Sequence, residues 1–207
     1  MSIVERPSVS PAAALPAAGP AGQAGPITLA VYDRMIAAGV FDPADPRSLE
    51  LIGGELHMMS PIGDRHADAV AFLTRWSSQQ VDPATTLVWV QNPLAIPGSA
   101  SAPQPDIAWV ALRRYADRRP LPAEVSLVIE VADTSLEFDT TTKASLYAAA
   151  GITDYWVVDL ASRAVIVLRD PRAGRYETRA THRDDEAVRP LARPEAALVP
   201  RELFATE

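Results

Sequence analysis

Two apolar spacings alternate along this chain. Stretches with apolar residues at nearly every position, or at every second one, read as strands, and stretches with apolar residues three and four apart read as helices. Thr28 opens a short helix with Val31, Tyr32, Met35 and Ile36 on its apolar face and Gly39 as its stop. Ser48 to Met59 reads as a β-hairpin turning at Gly53-Gly54, with Glu50 and Glu55 on either side of the turn. From about Asp64 to Gln80 the period becomes helical, and Val70, Leu73 and Trp76 face a core.

Thr86 to Gln91 and Pro93 to Ile96 then read as strands, and Pro97 to Gln104 as a loop of small residues and prolines. Asp106 opens the strand Ile-Ala-Trp-Val, and Val125 to Val131 is a buried strand. A helix from Asp139 or Thr140 to Ala150 stops at Gly151. Asp154 to Leu160, Ala164 to Leu168 and Tyr176 to Thr181 are further strands. The remainder, broken by Pro190, Pro194 and Pro200, is expected to add one edge strand and an anchor at Leu203-Phe204. The order predicts an α/β (α+β) fold, one mixed sheet with flanking helices.

Within this pattern Glu130 stands out. It lies in a run of Val, Leu and Ile that must be buried, where a lone carboxylate costs several kcal/mol, of order 3–5, unless it is paired, protonated or bound to a metal. Asp106, at the start of the neighbouring strand, is the natural second metal ligand.

Composition sharpens one further position. Of the 19 basic residues 18 are Arg, and Lys143 is the only lysine. Arg stays protonated at any working pH, whereas an amine is compact and can titrate, so a site needing an amine would retain Lys. The plainer reading is chance. Lys143 and Tyr147, four apart, share a helix face.

The other composition terms mostly exclude. A length of 207 residues suits one domain with a full core, here residues 27–207. Residues 1–26, rich in Ala, Pro and Gly, read as a disordered tail and match a secretory signal poorly. No apolar run is long enough to cross a membrane, and zero Cys excludes disulfides and thiolate metal sites. A net charge of −7 argues against a broadly basic nucleic-acid-coating protein but leaves room for a local groove. Arg113, Arg114, Arg118 and Arg119 read first as a solvated loop, and second as a phosphate-contacting patch. His66 lies near the core face of its helix, where a structural histidine is the commoner case and a functional one the alternative.

An Asp, an acidic residue on the adjacent strand and a Lys make the minimal set for metal-dependent phosphodiester cleavage. Two carboxylates suit magnesium, which keeps several waters. The cation polarises the phosphate, while the lysine positions or deprotonates the attacking water, or offsets transition-state charge. The peptide carbonyl of Val131 is a further possible ligand.

These residues also resemble a known group. Glu50-Leu-Ile-Gly-Gly-Glu55-Leu, His66, Pro105-Asp106, Glu130-Val, Asp139 and Lys143, Tyr147 and Gly151-Ile-Thr-Asp-Tyr-Trp-Val-Val-Asp resemble the Uma-two family of restriction endonucleases, in the PD-(D/E)XK nuclease superfamily. The resemblance covers roughly residues 28–205. One position departs from the superfamily: Ala132 stands where a lysine normally follows the acidic residue, and Lys143 matches the family's placement on the following helix. The resemblance implies a restriction-endonuclease-like fold, with Asp106 and Glu130 as metal ligands and Lys143 as the catalytic amine. Glu50 and His66 fall on supporting positions. It further implies a cytoplasmic endonuclease using Mg2+ or Mn2+, acting on double-stranded DNA as a homodimer. Open sheet edges also motivate the dimer. Two rival readings remain: a non-catalytic dimeric binding or regulatory module on the same fold, and a metal-dependent hydrolase of a small phosphoester in a closed pocket.

Overall fold

A computed structural model describes residues 25–41, 49–59 and 62–205. Its centre is a six-stranded sheet in the order β3-β4-β5-β6-β7-β8. These strands are β3 (Thr86–Val90), β4 (Ile107–Ala111), β5 (Val125–Ala132), β6 (Asp154–Asp159), β7 (Ala164–Arg172) and β8 (Arg175–Arg183). Only β5 and β6 run parallel, so the sheet is mixed as expected. A separate hairpin of β1 (Leu49–Ile52) and β2 (Glu55–Met58) turns at Gly53-Gly54, both at positive φ. That geometry is what a two-residue hairpin turn demands and what glycine supplies.

The two faces of the sheet follow the period-two alternation of β5. Leu127, Ile129 and Val131 join Leu73, Trp76, Trp109, Trp156 and Val158 under α2 (Asp64–Gln80). Val128 and Ala132 join Val157, Ile166, Leu146 and Tyr147 under α4 (Ala144–Ala149). Trp76 stacks on Trp109 at 5.6 Å and leans on Trp156 at 6.0 Å, filling the first face with large flat surfaces. Glu130 falls on the second face by the same alternation.

Several expectations are corrected. Pro93 to Ile96 is not a strand; Ile96 forms only an isolated bridge with Ser101. Pro93 has no N–H, and Leu94 and Ala95 donate to the loop carbonyls of Pro103 and Pro120 instead. The C-terminal segment adds no edge strand, only a bridge between Val188 and Leu198, because prolines interrupt it on both sides. It ends in α5 (Pro200–Leu203), whose Leu203 is buried as the expected anchor.

The first helix, α1 (Leu29–Ala37), is capped by Thr28 as predicted, but only Tyr32 of its four apolar positions is buried, and Ile36 is exposed. The helix after β5 starts earlier than predicted. It comprises α3 (Leu136–Phe138), a π-helical turn over Asp139–Lys143, and α4. The expected tail lies outside the described residues up to 24; Pro26 packs on the hairpin at Gly54, and Ile27 N–H donates to the Gly54 carbonyl at 2.8 Å.

Candidate active site

The carboxylates meet at one end of the sheet. Ile107 pairs with Ile129, and continuing that antiparallel register sets Asp106 across from Glu130. Asp106 sits just before β4, so its side chain is free to turn across the strand end. There Oδ2 accepts the Val131 N–H at 2.8 Å and contacts His66 Nε2 at 3.2 Å, while Oδ1 accepts from Gln91 Nε2 at 3.2 Å. Within a strand a residue's N–H and C=O face the same edge, so the Val131 carbonyl also points to the side of Asp106.

Lys143 approaches from the other face. The π turn, an extra residue in a helical turn of the kind often found at functional sites, brings both Asp139 and Lys143 inward. Lys143 Nζ donates to Glu130 Oε1 and to Glu50 Oε1, each at 3.1 Å, and lies 3.9 Å from Asp139 Oδ1. Tyr147 OH donates to the same Glu130 Oε1 at 2.8 Å, so Oε2 takes neither contact. Glu50, carried in by the hairpin, is fixed by the Gln104 N–H at 2.9 Å. The five predicted side chains, Glu50, His66, Asp106, Glu130 and Lys143, all line one cavity of about 400 Å³. Lys143 touches Glu130 and Glu50 directly and does not touch Asp106.

The cluster carries more negative than positive charge, and the titrations follow from that. Burial, then the neighbouring carboxylates, lift the Glu130 carboxyl well above its ordinary value despite the opposing pull of Lys143. Burial lifts Asp139 too. Burial alone would lower Lys143, but Glu130, Glu50 and Asp139 outweigh it and hold the amine above its ordinary value. Lys143 is therefore an ammonium at neutral pH. Of the roles expected for it, donating hydrogen bonds is the one its contacts with Glu50 and Glu130 match. Burial lowers His66 more than any single neighbour raises it, but its bond to Asp106 and the charges of Asp106, Asp133 and Asp139 together outweigh burial and hold it above its ordinary value. Its Nδ1 is buried with no partner among the described residues, which a purely structural histidine avoids.

Gln91, Gln104 and the inward turn of Asp139 escape sequence reasoning. Helical spacing puts Tyr147 on the Lys143 face but does not reveal its bond to Glu130. In the Arg113–Arg119 loop, Arg113 and Arg118 both pair with Glu124 and Arg119 pairs with Asp33, while Arg114 is exposed.

Among the described residues no group of three or more His, Asp or Glu side chains is arranged to hold a metal ion. A zinc site, which takes three or four such ligands, does not fit this donor set. A hydrated magnesium ion does fit, because it needs only one or two carboxylates with waters. Asp106, Glu130 through the Oε2 that neither Lys143 nor Tyr147 contacts, and the Val131 carbonyl supply hard oxygen donors where negative charge is in excess.

A mixed six-stranded sheet with acidic residues at the ends of its central strands also defines the class of fold. A solved structure from Anabaena variabilis, described as "a putative nuclease belonging to DUF820", superposes with a TM-score of 0.69 at 17% identity, covering 86% of this chain and 98% of that one. The fold is restriction-endonuclease-like. Residues 32–199 match the sequence profile of the Uma2 family, described as "Putative restriction endonuclease", and the chain belongs to that family. No curated protein sequence matches it.

Proposed function

We propose that this protein is a metal-dependent endonuclease that hydrolyses phosphodiester bonds in DNA. The observation that carries the reading is the buried Lys143 ammonium, 3.1 Å from Glu130, at the floor of a cavity that Asp106 also lines. Family membership and the nuclease-like fold support it.

In this reading Asp106, Glu130 and the Val131 carbonyl hold Mg2+, with Mn2+ able to replace it. The bound ion would polarise a phosphate oxygen and acidify a water. The residues of the chain do the rest. Gln91, His66 and the Val131 N–H fix the Asp106 carboxylate in one orientation. Tyr147 and Lys143 fix Glu130 through Oε1 alone. The ammonium of Lys143, shared between Glu50 and Glu130, donates toward an anionic phosphate and offsets charge developing on it.

One observation favours the rival, non-catalytic module. Lys143 and Asp106 are already satisfied by protein partners, as in a purely structural network. Plasmid nicking decides between them. Wild type is expected to nick in Mg2+ or Mn2+ and not in chelator, and Asp106→Asn to lose nicking while staying folded. Absence of nicking by wild type across metals and substrates would leave the module. No helix among the described residues is long and apolar enough to cross a membrane. The homodimer remains part of the proposal, and light scattering at micromolar concentration tests it. β8 is an open edge that could pair, but its exposed Arg175, Arg179 and Arg183 disfavour edge-to-edge contact.

A further inference from the structure

The cavity has two unlike walls. Its floor is acidic, with Glu50, Asp106, Glu130 and Asp139 around Lys143. The rest of its lining is more apolar and aromatic: Met58 is 83% exposed, Ile62 57% exposed, and the half-buried Phe138 lies with its ring 5.3 Å from that of His57. His57 stands directly across the hairpin from Glu50, so one short element supplies both a floor carboxylate and part of the apolar side. Exposed apolar residues gathered at the mouth of a polar pocket mark a ligand.

The electrostatics narrow the ligand. A duplex presents phosphates on both sides of the scissile one, and proteins that hold it meet them with Arg and Lys. Among the described residues no Arg of this Arg-rich chain lines the cavity, and Lys143 is its one permanent cation. Two histidines, His57 and His66, are the other basic groups there. Inside the cavity, then, a phosphate meets a cation only at the floor, and Arg65, paired with Asp133 at 3.8 Å, is a cation beside it. A volume of about 400 Å³ is of the size that holds one drug-sized ligand, and one nucleotide is such a ligand.

We infer that the site takes an unpaired nucleotide of a single-stranded or splayed-out strand, its base against Phe138, His57 and Met58 and its phosphate on the floor. This rests on the nuclease reading for the floor, and adds the apolar wall as the element that selects unpaired over paired substrate. Stacking a base on an aromatic ring is sequence-tolerant, so the selection is for strandedness rather than for a particular base.

The test is equilibrium binding, in magnesium, of a phosphorothioate-linked 12-mer containing 2-aminopurine. It is offered single-stranded and in a blunt duplex of the same sequence. The single strand is expected to bind at least tenfold more tightly, with 2-aminopurine fluorescence quenched on binding. Phe138→Ala should weaken that binding by about tenfold and remove the quenching, and Phe138→Tyr should restore both. Met58→Ser, at an exposed position, should weaken binding without disturbing the fold. Equal binding of duplex and single strand, or unchanged binding by Phe138→Ala, would overturn the inference. A protein that stacks the single strand yet cleaves nothing keeps this inference and loses the nuclease reading. Plasmid nicking that Phe138→Ala leaves intact, with duplex bound as well as single strand, does the reverse.

Discussion

The Val131 N–H donates to Asp106 Oδ2 at 2.8 Å, so the strand that carries Glu130 also holds the other carboxylate in place. Glu130 and Val131 are successive residues, and their side chains face opposite sides of the sheet. The side chain of one and the backbone of the other thus serve the same site. Asp106 is both a structural acceptor and the first proposed metal ligand, and substitutions can separate the two roles.

Asp106→Ala leaves the buried Val131 N–H without an acceptor, which costs roughly 1–3 kcal/mol. The melting temperature of the metal-free protein is expected to fall by about 2–4 °C for each kcal/mol. Asp106→Asn keeps an acceptor oxygen and most of that stability. Millimolar magnesium or manganese should raise the melting temperature of wild type by mass action on the native state, and of neither variant. An equal rise in wild type and Asp106→Asn would place the metal elsewhere.

The excess of carboxylates makes the metal-free protein pH-sensitive, and the sign follows from the direction of each shift. Glu130 and Asp139 are raised in the folded state, so the native protein binds protons that the unfolded chain has released. His66, also raised, contributes stability that is full below its unfolded pKa and lost as pH rises through the folded one. All three act in the same direction; His66 and Glu130, the one raised from a near-neutral value and the other raised well above its own, set the window, and stability is expected to increase as pH falls from about 8 to about 6. Thermal melts across that range in chelator measure it. A flat or inverted profile would mean that water reaches the cluster and Glu130 is not desolvated. Magnesium should flatten the slope, because a bound cation takes the place of the extra protons.

Gly54 ties the hairpin to the site from a distance. It has φ +80°, and a Cβ there would come 2.4 Å from the Cβ of Pro26. Gly54→Ala therefore meets both backbone strain and a clash, each of order 1–3 kcal/mol. Because the same hairpin delivers Glu50 to Lys143, the variant is expected to lose stability and nicking together. Gly53→Ala shares the positive φ but meets open space, and should be the milder of the two. Melting curves and nicking rates of the pair would show whether hairpin docking or turn strain dominates.

Much of this is legible in the chain because period-two patterning is a strong signal. The run from Val125 to Val131 can only be a buried strand, which makes Glu130 conspicuous from its neighbours alone. The Gly53-Gly54 turn is equally plain. What stays hidden depends on contacts between distant segments or on departures from regular geometry. Glu50 and Lys143 are 93 residues apart, and nothing local to either indicates the pairing. The π turn at Asp139–Lys143 follows no 3.6-residue period, so a helix start at Asp139 conceals the inward turn of its carboxylate. Pro93 to Ile96 misleads because it is apolar and buried like a strand, yet it is held by loop carbonyls.

The sole lysine gives the most discriminating prediction. Lys143 Nζ is buried between Glu50 and Glu130, a space shaped for a compact ammonium. Lys143→Met removes the cation that contacts two buried carboxylates, and a broken buried pair costs about 3–5 kcal/mol. Adding Glu130→Gln should recover part of that loss, which a surface cation would not show. Lys143→Arg keeps the charge but replaces a point donor with a planar fork that cannot offer the same geometry to a phosphate. Its fold and its metal-induced rise in melting temperature are expected to survive, while nicking falls on the order of a hundredfold or more, the scale of losing a positioned catalytic group. Because the amine is held above its ordinary pKa, the wild-type rate should show no loss on acidification that tracks protonation of Lys143 near neutrality. Equal nicking by wild type and Lys143→Arg would reduce the lysine to a structural counter-charge, and leave Asp106 and Glu130 to carry the chemistry alone.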